Sequence, residues 1–579
     1  MNRRPTAPLA RRAATLGGVF AIAGATLMYE ILLTRIFSVT MWYHFAFLAV
    51  AAALLGMTAG AVLVQARPLT FSADAAPRRL ATSALLFALG VPATFLVHLA
   101  IPVVPTLTPA GLVSVLITYV VIALPFLASG VCVCLALTRL AGPVGTIYAA
   151  DLTGAALGCL ATVGALKVAD APAAVFLVAA FGGAAAIAFA AAAGERRALA
   201  GALALTAAAL VLTATGSSWL RVTWVKGARE RGPTLHERWN SYSRIRISGD
   251  PGVESPPFGW GLSPTYPATR RVGQLMLSID GVADTVLTRL DGDPGALDHL
   301  RYDVTNLAHY LRRDAEVLVV GAGGGRDVLS ALVFGQRQVV AIEVNEAILE
   351  AINRTFGAYT GHLDRRPSVR FVNDEARSYI ARQRECFDMI QISLIDTWAA
   401  TAAGGFVLTE NSLYTAEAWT LFLDRLTPSG VLAVSRYHFR SRPDETYRLT
   451  ALANAALTRS GIEDPRRHIV IVKQMAPAGP VPVGIATMLV SRSPFSDEDI
   501  ATVEEVTRRM KFEVVLSPGT RPTSRSPPSP RAPISTNSSR SSPSTSPLPR
   551  TTVRSSSIPC ASTTSSTGRG RVRSSTTST

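Results

Sequence analysis

Seven long apolar stretches follow one another in the N-terminal part of this chain of 579 residues. They occupy about 13–34, 44–64, 80–104, 110–138, 144–166, 171–193 and 198–218. Crossing the hydrocarbon of a bilayer takes about 20 residues, and each stretch is long enough. One such stretch could be a buried core helix. Seven in series predict a multi-span α-helical membrane domain over residues 13–218, preceded by a basic tail, 1–12, with a lipid bilayer as partner.

Two charged residues, Glu30 and Arg35, lie in or beside the first apolar stretch. A charge in hydrocarbon is costly, so such residues are either functional or stabilised by a partner. Because Arg35 is near the end of the stretch, we interpret these residues as a structural ion pair or as an arginine whose head reaches the interface.

The composition changes to that of a soluble globular protein after the last apolar stretch. Short strands with turn signals, such as "RIRISGD" and "QLMLSIDGVADT", predict a linker and an N-terminal β-hairpin region over residues 219–310. Over residues 311–516 strands alternate with helices, starting with the buried strand "EVLVVGA". This alternation predicts an α/β doubly wound, Rossmann-like sheet.

A glycine-rich turn ends the first strand of this predicted sheet, where ligands of doubly wound folds bind. Its glycines are Gly321, Gly323, Gly324 and Gly325. The next two strands end at Glu343 and Asp374, and a carboxylate at the first of these positions can accept both hydroxyls of a ribose. A dinucleotide site would have a third spaced glycine where this chain has Arg326. We therefore predict a site for a nucleoside without a pyrophosphate.

Together these motifs resemble the spermidine synthases, aminopropyltransferases with a fold of the class I S-adenosylmethionine-methyltransferase type. The resemblance runs over residues 275–436 through "LSIDGVADT", "GAGGGRD", "AIEVN", "VNDEARSYI" and "LTENSLYTAEAW". With the apolar stretches and "GPVGTIYAADLTGAALG", it extends to membrane-fused bacterial spermidine-synthase-like proteins. It implies that the four glycines, Glu343 and Asp374 bind decarboxylated S-adenosylmethionine or S-adenosylmethionine. On the substrate side it implies Asp280, Asp284, Ser393, Trp398 and Tyr414.

Several positions depart from the pattern of that family. Ser393 stands where the family has an aspartate that acts as general base, and Asp396 stands where a second aspartate helps to hold the polyamine. Gly324 replaces the aspartate that would hold the amino group of the donor, and Asp284 replaces a glutamine. The positions for polyamine chemistry have therefore changed, while the positions for the nucleoside remain.

Three functions stay open at this point. In the first, a small-molecule amine attacks the aminopropyl carbon of decarboxylated S-adenosylmethionine, and Asp396 or a neighbour such as Glu410 accepts its proton. In the second, S-adenosylmethionine donates a methyl group to another acceptor, whose pocket Trp398 and Phe406 would shape. In the third, the protein binds a nucleoside or a polyamine and gates a path through the membrane without catalysis. A homo-oligomer is compatible with all three.

Charge and histidine content bear on the remaining partners. The net charge is +16, but nine arginines lie in a tail from Thr520 that has no acid. Because no basic face interleaved with aromatic residues is present, we expect no nucleic-acid partner. The eight histidines show no ligand spacing, so we expect no metal.

The segment 517–579 consists largely of Ser, Thr, Pro and Arg, which predicts a disordered tail. The domain pattern breaks off abruptly at "KFEVVLSPG". One possible coding sequence for "TTVRSSSIPC", shifted by two bases, reads Asp-Arg-Pro-Phe-Phe-Phe, which resembles a segment of the membrane-fused relatives. We hypothesise a frameshift near codon 518, which resequencing of the locus would test.

Arginines flank the apolar stretches on one side, which the positive-inside rule makes cytoplasmic. They are the arginines of the N-terminal tail, Arg67, Arg78, Arg79, Arg139, Arg196 and Arg197. Seven crossings would then place the soluble domain outside, whereas a cytosolic nucleoside and Lys226, Arg229 and Arg231 favour the inside. We expect a protein of the cell (inner) membrane whose soluble domain is cytoplasmic. Either one apolar stretch then does not cross, or two of the stretches are wrongly divided or one combines two spans.

Overall fold

The computed structural model describes residues 6–41, 45–102, 108–140, 143–395, 412–441, 443–476 and 483–519. Within these residues seven helices are long and apolar enough to cross a membrane, which confirms the fold class predicted for this part of the chain. They are α1 (Thr6–Thr40), α2 (Ala46–Ala66), α3 (Ala76–Ala100), α4 (Pro109–Arg139), α5 (Val144–Val168), α6 (Ala171–Ala193) and α7 (Arg196–Trp219).

Glycines allow the first and fifth helices to pack backbone against backbone. A Cβ atom at Gly24 would lie 3.0 Å from the carbonyl oxygen of Gly154, and one at Gly158 would lie 2.4 Å from the carbonyl oxygen of Gly24. Such close approach is typical of small residues in membrane helices. Because Phe20 contacts Gly154 and Gly24 contacts Gly158, α1 and α5 run in the same direction.

The soluble part contains fifteen strands and eight further helices within the described residues. The strands are β1 (Trp224–Val225), β2 (Ala228–Arg229), β3 (Thr234–Trp239), β4 (Arg244–Ser248), β5 (Glu254–Ser255), β6 (Val272–Ile279), β7 (Ala283–Thr288), β8 (Glu316–Val320), β9 (Gln338–Glu343), β10 (Val369–Asn373), β11 (Phe387–Ser393), β12 (Leu426–Phe439), β13 (Ile469–Met475), β14 (Val483–Ser491) and β15 (Glu513–Leu516). The helices are α8 (Ala308–Leu311), α9 (Arg326–Val333), α10 (Glu346–Glu350), α11 (Gly357–Thr360), α12 (Ala376–Arg382), α13 (Ala416–Asp424), α14 (Asp444–Arg459) and α15 (Asp497–Met510).

An eight-stranded sheet with the order β10-β9-β8-β11-β12-β14-β13-β15 forms the centre of the soluble part. Its strands from β10 to β12 are parallel, and β14, β13 and β15 continue it in antiparallel pairing. The chain winds outward from β8 to β9 and β10, then returns to add β11 on the other side of β8. This reversal is the switch point of a doubly wound sheet, so the predicted fold class is confirmed.

The register of the central strands brings three sequence positions to one edge. Val320 of β8 is paired with Ile342 of β9 on one side and with Ile392 of β11 on the other. The residues that follow these three, which include Glu343 and Ser393, therefore lie side by side at the carboxyl ends of the strands. A smaller antiparallel sheet, β3-β4-β6-β5 with β7 paired to β6, precedes them in the chain.

A buried ion pair joins the end of α1 to the turn between β6 and β7. Nη2 of Arg35 lies 3.1 and 3.2 Å from the two carboxylate oxygens of Asp280, and the two side chains are 1% and 0% exposed. The carboxylate also accepts hydrogen bonds from the Ser38 hydroxyl at 2.8 Å and from the backbone N–H of Arg244 at 2.7 Å. Of the two interpretations of Arg35, the structural ion pair is therefore the one observed, with a partner from the soluble part.

Removing one member of this pair should destabilise the protein strongly. We expect Arg35→Met to lower the free energy of unfolding by about 3–5 kcal/mol, because Asp280 then stays buried without its cation. Chemical unfolding of the full chain in detergent micelles measures this change. The control is Arg78→Met, which removes a salt bridge to Glu195. The side chain of Arg78 is 77% exposed and that of Glu195 is 35% exposed. That variant should lose less than about 1 kcal/mol, and equal losses would contradict the expectation.

Candidate functional site

The glycine turn between β8 and α9 lies directly against the hairpin strand β7. Gly321, Gly323 and Gly325 have φ angles of 77°, 50° and 83°, in the left-handed region that side chains rarely adopt. A Cβ atom at Gly324 would lie 2.2 Å from the carbonyl oxygen of Val286 in β7. The turn therefore requires glycine for its backbone conformation and for its contact with the hairpin, and within residues 321–325 only Ala322 carries a side chain.

Arg326 occupies the position where a dinucleotide-binding turn would have its third glycine, and its side chain is directed away from the turn. Nη2 of Arg326 lies 2.6 Å from Oδ2 of Asp303, and Nη1 donates to the hydroxyl of Thr305 at 3.1 Å. Both charged side chains are almost fully buried. A bulky residue is tolerated here because a buried acid from the preceding segment holds it.

Glu343 at the end of β9 faces the glycine turn. One carboxylate oxygen accepts from the backbone N–H of Gly323 at 3.1 Å, and the other accepts from the backbone N–H of Asn345 at 3.0 Å. Burial raises the pKa of this carboxyl, and these N–H groups oppose the rise. Each carboxylate oxygen has a further lone pair, so the group can still accept bonds from two ligand hydroxyls.

Asp374, which directly follows β10, lies at the same edge as Glu343. Its backbone N–H donates to the carbonyl oxygen of Glu343 at 3.3 Å, which places the two acids on neighbouring strand ends. The carboxylate of Asp374 forms a salt bridge with Arg382 and accepts from the backbone N–H of Glu375 at 2.8 Å. A contact of Asp374 with an adenine stays a prediction.

Ser393 ends β11 on the other side of the glycine turn. Nε2 of Gln391 donates to its hydroxyl oxygen at 3.3 Å. The next residue, Leu394, has a φ of 49°, which is unusual for a leucine and marks a strained position. Residues in such conformations cluster at functional sites, where the surrounding structure holds them in place.

Asp327 is a candidate site residue that the sequence interpretation missed. It lies in the first turn of α9, is 7% exposed, and lies close enough to Ser393 for the serine hydroxyl to lower the pKa of its carboxyl. Burial raises the pKa of Asp327, while the charge of Arg326 and the nearby hydroxyl of Ser393 oppose the rise. The carboxyl group of Asp327 therefore lies near Ser393, the position where the spermidine synthases have an aspartate. Asp327 comes after strand β8, whereas Ser393 ends strand β11. Its signal in the sequence was its place directly after the glycine turn.

The remaining predicted substrate residues lie in three different environments. Asp280 is fully buried in the junction with α1, so its carboxylate is engaged within the protein, and a substrate contact stays a prediction. Asp284 of β7 is half-buried. Burial of Tyr437 in β12 raises the pKa of that phenol, and the charge of Asp284 raises it further. The ring of Tyr414 lies 4.7 Å from the guanidinium carbon of Arg436, and burial raises the pKa of its phenol.

The predicted catalytic residues Asp396 and Glu410, together with Trp398, lie outside the described residues. No group of three or more metal-ligating side chains occurs in the described parts of the chain.

A doubly wound sheet with a glycine turn after its first central strand and an acid after its second defines a class of nucleoside-binding proteins. The soluble part has a doubly wound sheet of this kind and is similar to spermidine synthases and S-adenosylmethionine methyltransferases. No family model matches the chain. A curated protein, polyamine aminopropyltransferase 2 of Pseudomonas aeruginosa, is 26% identical over 176 residues, which are 30% of this chain and 46% of that relative. The match therefore spans less than half the length of the relative.

Solved structures with the same type of fold are more distant in sequence. A spermidine synthase in complex with the transition state analogue AdoDATO is 15% identical, with 46% of this chain and 74% of that chain covered and a TM-score of 0.29. Human methyltransferase-like protein 13 in complex with SAH is 16% identical, with 37% and 91% covered and a TM-score of 0.26.

Replacing Glu343 should weaken nucleoside binding without unfolding the protein. We expect Glu343→Ala to lower the affinity for S-adenosylmethionine or its decarboxylated form by about tenfold or more, because a hydrogen bond to a charged group is worth about 1.5–3 kcal/mol. Isothermal titration calorimetry on the full chain in detergent micelles measures this loss. The control is Glu346→Ala, which removes an exposed acid from the next helix. Unchanged affinity in Glu343→Ala would show that this carboxylate does not hold the ribose.

Proposed function

We propose that this protein is a membrane-anchored, spermidine-synthase-like transferase that moves the aminopropyl group of decarboxylated S-adenosylmethionine to an amine. The observation that carries the proposal is the carboxylate of Glu343 held against the glycine turn by the backbone N–H of Gly323. This arrangement provides acceptors for ribose hydroxyls beside backbone that a nucleoside can approach. The similarity to a curated polyamine aminopropyltransferase supports the same chemistry.

The reaction needs a group that accepts a proton. The nitrogen lone pair of the amine forms a bond to the aminopropyl carbon, the bond from that carbon to the sulfonium sulfur breaks, and a neutral thioether nucleoside leaves. The amine nitrogen then gives up one proton. We propose Asp396 as the acceptor of this proton, with Glu410 as its alternative. Asp327 is a third carboxyl group, and burial raises its pKa above the usual range of an aspartate.

A second candidate is transfer of the methyl group of S-adenosylmethionine. The position that would hold the amino group of the decarboxylated donor is Gly324, and its contact with Val286 leaves no room for a side chain. Nucleoside recognition through Glu343 is common to both donors. A protein that binds the nucleoside and turns nothing over would be a sensor, the third candidate.

The choice of donor distinguishes these candidates. We expect the full chain in detergent micelles to bind decarboxylated S-adenosylmethionine about tenfold more tightly than S-adenosylmethionine, a difference of about 1.4 kcal/mol. The physical reason is that the extra carboxylate of S-adenosylmethionine adds a negative charge at an edge that already carries the acids Glu343 and Asp374. Calorimetric titration with both compounds measures the preference. The opposite preference favours methyl transfer, and binding of neither compound contradicts both transferase proposals.

Loss of the proton acceptor should affect turnover more than binding. We expect Asp396→Asn to lower the turnover rate by about 10²–10⁴-fold with unchanged nucleoside affinity. Asp327→Asn is measured in parallel, and Asp314→Asn, at a mostly exposed aspartate, is the control. Single-turnover rates with bound donor separate chemistry from binding. A drop in Asp327→Asn alone would assign the base to Asp327, and no drop in either variant would exclude both.

We further propose that the helices lie in the inner membrane, with the nucleoside site on the cytoplasmic side, where S-adenosylmethionine is made. The charge pattern opposes this placement. Arg78 at the start of α3 and Glu195 directly before α7 form a salt bridge at the end of the bundle where α1 begins, whereas the other end contacts the soluble part. The domain limits at 219, 311 and 516 and a homo-oligomeric state also stay proposals.

Reporter fusions test the side of the membrane. We expect green fluorescent protein fused after residue 516 to be fluorescent and alkaline phosphatase fused there to be inactive, because the first folds only in the cytoplasm and the second only outside it. Fusions after residue 140, between α4 and α5, are the comparison. An active phosphatase after residue 516 would place the domain outside and would exclude a cytosolic nucleoside as its ligand.

A further inference from the structure

The carboxylate of Asp280 is shared between the first membrane helix and strand β4. One of its oxygens accepts from Nη2 of Arg35 at 3.1 Å and from the backbone N–H of Arg244 at 2.7 Å. The other accepts from Arg35 at 3.2 Å and from the hydroxyl of Ser38 at 2.8 Å. Because these groups are buried, no water competes for the bonds, and the position of α1 is transmitted to the backbone at Arg244.

The turn that precedes Arg244 is closed by the side chain of its first residue, Asn240. Oδ1 of Asn240 accepts from the backbone N–H groups of Tyr242 and Ser243 at 2.8 and 2.9 Å. The backbone N–H of Asn240 donates to the carbonyl oxygen of Ser243 at 3.0 Å. These three bonds make residues 240–243 a compact unit that moves together with the start of β4.

This turn holds Asn345, which in turn holds Glu343. Nδ2 of Asn240 donates to Oδ1 of Asn345 at 2.6 Å, and Nδ2 of Asn345 donates to the hydroxyl of Ser243 at 2.8 Å. The backbone N–H of Asn345 donates to the carboxylate of Glu343 at 3.0 Å. Asn345 is 4% exposed, and hydrogen bonds hold both the oxygen and the nitrogen of its side-chain amide inside the protein.

We propose that α1 is a positioning element of the nucleoside site, which acts on Glu343 through Asp280, the 240–243 turn and Asn345. Arg35 and Ser38 lie in the membrane half, so the site is completed by a helix outside the soluble domain. By linkage, a ligand or lipid that changes the position of α1 changes nucleoside affinity, and the nucleoside stabilises the end of α1 to the same extent. The inference rests on the proposed function only in naming a nucleoside as the ligand.

A purely structural role for the same bonds would stabilise the fold and leave the site unchanged. The double variant Arg35→Met/Asp280→Asn separates the two roles. It removes both buried charges together, which is far less destabilising than removing one, and it leaves an amide oxygen to accept from Arg244. The matched control is Arg78→Met/Glu195→Gln, which neutralises an ion pair at the other end of the bundle.

Hydrogen–deuterium exchange of the ligand-free full chain in detergent micelles gives the first readout. We expect faster exchange in Arg35→Met/Asp280→Asn over residues 240–248 and also over 321–347, which contain the glycine turn and Asn345. The control should exchange like the wild type in both segments. Faster exchange confined to 240–248, or no change in either segment, would overturn the inference.

Nucleoside affinity gives the second readout. Asn240→Asp keeps the oxygen that closes the turn and removes the donor to Asn345, whereas Ser243→Ala removes the other contact of Asn345. Each should weaken binding of decarboxylated S-adenosylmethionine by about three- to tenfold, the effect of one hydrogen bond. Tyr242→Phe, in the same turn, should bind like the wild type. Wild-type affinity in both test variants would overturn the inference. A wild type that binds no nucleoside would contradict the proposed function, while the exchange experiment still decides the positioning role.

Discussion

The buried pair of Arg35 and Asp280 fixes where the membrane helices meet the soluble sheet. Removing two charges from water costs several kcal/mol for each ion, and only good geometry with further hydrogen bonds compensates for that cost. Here the compensation comes from Ser38, from the N–H of Arg244 and from the mutual contact of both charges. A shifted arrangement of the two halves would leave a buried charge without a partner, so the pair selects one arrangement of the junction.

The edge of the central sheet concentrates acidic groups around a glycine-rich turn. Glu343 and Asp374 come from strand ends on one side, and Asp327 with Ser393 lies on the other. The two sides suit different tasks, because acceptors beside bare backbone fit a ribose, while a buried carboxyl with a raised pKa fits proton transfer. The same edge is connected through Asn345 and the 240–243 turn to the junction, so Glu343 and Arg35 belong to one hydrogen-bonded system.

The features that were predicted correctly from the sequence are those whose signal lies within a single segment. Length and composition predicted the seven helices, and alternation of apolar strands with helices predicted the doubly wound sheet. The glycine turn and Glu343 were recognised because they follow directly from the ends of two strands. Three features were not recognised, namely the partner of Arg35, the partner of Arg326, and the position of Asp327 beside Ser393. Each of them depends on residues that are distant in the sequence.

The sequence by itself determined which segments are helices and strands and which strand ends carry a nucleoside-binding pattern, because hydrophobic periodicity, glycine conformation and strand polarity are local properties. Only the tertiary structure decided that Asp280 serves the junction, that Arg326 is turned away toward Asp303, and that Asp327 reaches the place of the missing aspartate. The physical reason is that a charged side chain takes the partner that the fold brings within hydrogen-bonding distance, and strand order and helix packing, rather than neighbours in the chain, determine that partner.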